Sequence, residues 1–73
     1  MLTDAQKRAV ELLKHKPFSN TDNGYWMAYF NNDFQEIKSR TIVALVKKGI
    51  VSIVSVALGS GITAEYACLV KEV

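Results

Sequence analysis

The chain has 73 residues, 49% of them apolar and 22% charged, with nine basic and seven acidic side chains and a net charge of +2. That length allows one domain, residues 1–73, with a small core, and the composition excludes a disordered or low-complexity protein. A single cysteine excludes an internal disulfide, and no His or Cys cluster offers a metal site, which fits a reducing, cytoplasmic setting.

The first predicted element is a helix over residues 3–15. Thr3 and Gln6 have the spacing of a capping box. Ala5, Ala9, Leu12 and Leu13 form an inward stripe, while Lys7, Arg8, Glu11 and Lys14 face water. A polar start of this kind is not a signal peptide. Pro17 stops the helix, and His15 reads as a helix-end cation rather than a catalytic base, since no carboxylate or second His lies near it.

Pro17 to Gly24 is rich in Ser, Asn, Thr, Asp and Gly and reads as a loop, with room for a brief strand near Phe18 to Thr21. Tyr25 to Phe30 favours a strand by propensity, but Trp26, Phe30 and Phe34 recur every fourth residue. That recurrence predicts a second helix over residues 24–31. Trp26, Phe30 and Phe34 are assigned to the core, and Tyr25 and Tyr29 to the surface. Aromatic clusters also stack bases in single-strand binders, but a small core needs these large side chains more.

Asp33 and Glu36 are spaced as a second capping box, which predicts a third helix over residues 34–48. Ile42, Leu45 and Val46 fall on one side of it, and Arg40, Val43 and Lys47 on the other. Lys47 and Lys48 complement the helix dipole, and Gly49 stands where a left-handed cap is wanted. From Ile37 to Ala64 there are four cations (Lys38, Arg40, Lys47 and Lys48) and no acid, an electrostatic footprint suited to a polyanion.

After Gly49 the period changes. Strands are predicted over residues 50–58 and 62–70, joined by Gly59-Ser60-Gly61. The first is apolar on both faces, so one face must meet something other than the helices: a second copy or another protein. Gly49 to Ala64 is too short and too rich in Ser and Gly to span a bilayer.

The run Arg40-Thr41-Ile42-Val43-Ala44-Leu45-Val46-Lys47-Lys48-Gly49-Ile50-Val51 resembles the recognition helix and first wing strand of winged helix-turn-helix domains. The resemblance implies an α+β fold of three helices followed by a C-terminal hairpin wing. It also implies a sequence-specific, double-stranded DNA-binding protein that regulates transcription, its third helix in the major groove. The implied DNA-binding residues are Lys38, Ser39, Arg40, Thr41, Val43, Lys47 and Lys48 on that helix. Ser60 joins them at the wing tip, which carries no Arg or Lys. Arg40 suits guanine and Val43 a thymine methyl, while Lys47 and Lys48 suit phosphates.

No paired carboxylates, activated nucleophile or phosphate-cradling loop is present, so neither an enzyme nor a bound cofactor or small-molecule substrate is expected. The alternative to DNA binding is a protein-interaction module that docks a partner, or forms a homodimer, through the apolar hairpin.

Overall fold

Thr3 opens the first helix of the computed structural model, which describes residues 1–70. Its hydroxyl accepts the Gln6 N–H at 3.1 Å, and the Gln6 side chain accepts the Thr3 N–H at 3.1 Å. Helix α1 (Asp4–Leu13) then buries Ala9, Val10 and Leu13. The chain continues through β1 (Phe18–Asn20), β2 (Tyr25–Phe30), β3 (Asp33–Lys38), α2 (Ser39–Lys47), β4 (Val51–Gly59) and β5 (Ile62–Leu69).

The five strands form one antiparallel sheet in the order β3-β2-β1-β5-β4. The meander β1-β2-β3 and the hairpin β4-β5 meet where β1 pairs with β5, through Phe18 opposite Ala67 and Ser19 opposite Tyr66. Helix α2 carries the chain from the β3 margin to the β4 margin and touches β2, β3, β4 and α1 on the way. The core lies between helices and sheet. Ala9, Val10, Leu13, Ile42 and Leu45 meet Phe18, Trp26, Ala28, Ile37, Val51 and Ala67 there.

This architecture overturns the expected winged helix of three helices and a C-terminal hairpin. Residues 24–31 are not a helix but the strand β2, and its burial has period two: Trp26 and Ala28 are inside, Tyr25 and Tyr29 outside. Asn31 and Asn32 both take positive φ, 55° and 61°, between the paired residues Phe30 and Asp33. Two successive left-handed residues make the tight turn whose twist suits a hairpin, and asparagine tolerates that conformation best after glycine. The segment 34–48 is divided: its first part is β3, and the helix begins only at Ser39. Asp33 does not cap a helix, since its carboxylate accepts the N–H of its neighbour Phe34 at 2.8 Å within the hairpin. Phe34, assigned to the core, is 63% exposed.

The end of α2 follows the glycine rule. Gly49 takes φ 75°, its N–H donates to the Val46 carbonyl at 3.0 Å, and the Ile50 N–H donates to the Leu45 carbonyl at 3.0 Å. These are the two bonds of the Schellman motif, and they aim the chain directly into β4.

Candidate nucleic-acid interface

Most of the cations lie on the two helices or on the residues that flank them. Asp4 to Lys16 and Lys38 to Lys48, the helices and their flanks, carry eight cations (Lys7, Arg8, Lys14, Lys16, Lys38, Arg40, Lys47 and Lys48) against two acids, Asp4 and Glu11. The other described residues carry four acids (Asp22, Asp33, Glu36 and Glu65) and no cation, although Lys38 is itself the last residue of β3, opposite Tyr25, and Lys16 is held at the Tyr29 carbonyl. Within the sequence, the basic region had extended only from Ile37 onward. Folding adds Lys7 and Arg8 to it, because α1 and α2 pack side by side on one face of the sheet.

On α2, Ile42 and Leu45 face the core, while Arg40, Val43 and Lys47 are exposed. Arg40 and Lys47 are seven residues apart, about two turns, so they share the outer side of the helix with Val43 between them. Ser39 and Thr41 are partly covered at the first turn, where the Ser39 N–H is already held by the Gly24 carbonyl at 3.0 Å. The first turn of α2 contains no acid, and no side chain caps it. Arg8 and Lys38 line a shallow cleft beside that turn, together with Thr41 and the carboxylate-bearing Glu36.

The cations are not equally available. Lys48 donates to the Met1 carbonyl at 3.0 Å and to Gln6 Oε1 at 3.1 Å, so it ties α2 to the start of α1. Lys14 pairs with Glu11 at 3.4 Å, and Lys16 donates to the Tyr29 carbonyl at 3.0 Å. Among the described residues Lys7, Arg8, Lys38, Arg40 and Lys47 make no ion pair. Ser60 is not brought to them. It sits in the β4–β5 turn with φ 52°, and β4 rises about 26 Å between Val51, beside α2, and Gly59.

The sheet's outer face is chemically different. The register aligns Glu36, Met27, Ser19, Tyr66 and Val54 in one row across it. Tyr25, Tyr29 and Phe34 are exposed on the same side, with Tyr29 and Phe34 edge to face at 4.9 Å. Single-strand binders combine such aromatics with a positive track for the backbone. Here Glu36 lies among the aromatics, Lys38 stands opposite Tyr25 on the same face and Lys16 is held at the Tyr29 carbonyl, so the charge is mixed rather than a continuous positive track. His15 stacks on Phe30 with ring centroids 4.9 Å apart, and among the described residues it forms no ion pair.

No group of three or more metal-ligating side chains comes together among the described residues, and no helix there is long and apolar enough to cross a membrane. Compared with known proteins, the chain matches no family model, no curated sequence and no solved structure.

Proposed function

We propose that this protein binds double-stranded DNA through its helical layer, with the Arg40–Val43–Lys47 side of α2 facing the major groove. What supports the reading is the concentration of positive charge: eight cations lie on or beside the helices, and of these only Lys16 and Lys38 also border the sheet's outer face. A polyanion is drawn most strongly to the side where the cations concentrate, so the helical side turns toward it.

In this reading Arg40 supplies the two-pronged contact to guanine, and Val43 meets a thymine methyl. Lys7, Arg8, Lys38 and Lys47 neutralise phosphates, which fixes register and makes binding salt-dependent. Transcriptional regulation is the role such a small, sequence-reading module would serve. A fluorescence-anisotropy titration of the whole chain with duplex DNA at two salt concentrations tests it. Four phosphate contacts correspond to a slope of log K against log salt of about −3.6. Absence of duplex binding at low salt would refute the proposal.

A further inference from the structure

We infer that two copies of this chain pair through the free edge of β4, joining their sheets across a two-fold axis beside Ser55. β4 ends the strand order, so one of its sides has no neighbouring strand among the described residues. The Val70 N–H donates to the Ile50 carbonyl at 2.8 Å, which marks Ile50 and Val70 as a hydrogen-bonded antiparallel pair. Such pairs alternate along a ladder. Ser52, Val54 and Val56 therefore spend their backbone groups on β5, and Val51, Ile53, Ser55 and Ala57 direct theirs to the open side.

Natural edge strands are guarded by charge, proline, brevity or a bulge. β4 has nine residues, no charge and no proline, and its register shift comes only at Ala57/Gly59, near the tip. The hairpin also leaves Ile53, Val54, Val56, Leu58 and Ile62 exposed, on both faces. A covering helix or loop would hide one face and leave the edge open. A strand hides the edge and lengthens both faces.

The occupant that fits is a second β4. With Ser55 opposite the partner's Ser55, Val54 meets the partner's Val56 on the outer face and Ile53 meets the partner's Ala57 on the inner face. Gly49 to Ala64 holds no charged residue, so antiparallel self-pairing sets no like charges against each other. A nucleic acid does not suit this edge, because no cation lies between Gly49 and Val70. The inference is independent of DNA binding, and the two measurements fail separately.

Sedimentation equilibrium of the whole chain, from micromolar concentration to about 1 mM, tests it. The wild type is expected to approach twice the monomer mass of 8.1 kDa. Ser55→Lys places two ammonium groups face to face at the axis, and should halve that mass at equal concentration with the circular dichroism unchanged. Ser55→Pro removes an outward N–H that β5 does not use, and should do the same. Amide exchange at Ile53, Ser55 and Ala57 should slow as concentration rises. A wild type that stays monomeric overturns the inference. So does a dimer that survives both substitutions.

Discussion

The ammonium group of Lys48 donates to Gln6 Oε1 at 3.1 Å, joining residues 42 positions apart. That oxygen also accepts the Thr3 N–H, so one side-chain amide closes the first turn of α1 and holds the last turn of α2. Gln6→Ala removes half of the capping box and the tether together, and should cost about 1 kcal/mol in urea unfolding. Gln6→Glu keeps the acceptor for both bonds and should cost less.

The same tether predicts an order among the lysines. Lys47→Ala should lower duplex affinity and reduce the magnitude of the salt slope by about 0.9. Lys48→Ala, which deletes a cation already engaged with Met1 and Gln6, should change the slope less. Arg40→Ala should cost about 1–3 kcal/mol on the preferred duplex and little on scrambled DNA, measured by competition anisotropy.

Leu45 is fully buried where α2 meets the sheet. Leu45→Ala should destabilise the chain by about 2–5 kcal/mol. In a domain this small that is a large share of the total, and the variant should be substantially unfolded by circular dichroism at room temperature. Val43→Ala, on the exposed side of the same helix, should leave stability within about 0.5 kcal/mol.

Gly49→Ala isolates a backbone effect, because an added Cβ there would meet no atom within 4 Å. The substitution should still cost about 1–2 kcal/mol through the left-handed conformation alone. Gly49→Asn should recover part of the loss, since asparagine enters that region more readily. Thermal unfolding of the three proteins side by side gives the comparison.

The exposed aromatics on the sheet should behave as structural pairs. Removing Tyr29 and Phe34 singly and together should yield a coupling of about 0.5–1.5 kcal/mol in stability. Neither single change should weaken duplex binding if the helical layer is the contact surface.

The part of the fold legible in the sequence was the part written locally. Thr3 and Gln6 mark the start of α1, Gly49 marks the end of α2, and the change of period after it marks β4 and β5. The segment from Gly24 to Lys38 misled because Trp26, Phe30 and Phe34 repeat at four while the same residues also fit a period of two interrupted by a turn. Asn31-Asn32 was the decisive signal, since it forms the two-residue turn of a hairpin. Asp33 and Glu36 imitated a capping box because the spacing of a cap does not say whether a helix follows. The exposed side of α2 was readable from helical spacing alone. The contribution of Lys7 and Arg8 was not, since it depends on α1 lying beside α2, and the engagement of Lys48 depends on a contact between the two ends of the fold.

Because α2 is strung from one margin of the sheet to the other, it acts as a strap whose fastenings are β3 and β4. Loosening either outermost strand slackens the strap, and tightening the strap clamps both. Any ligand gripping the outer side of α2 should therefore quieten amide exchange in Asp33–Lys38 and Val51–Gly59 alike, at opposite borders of the molecule.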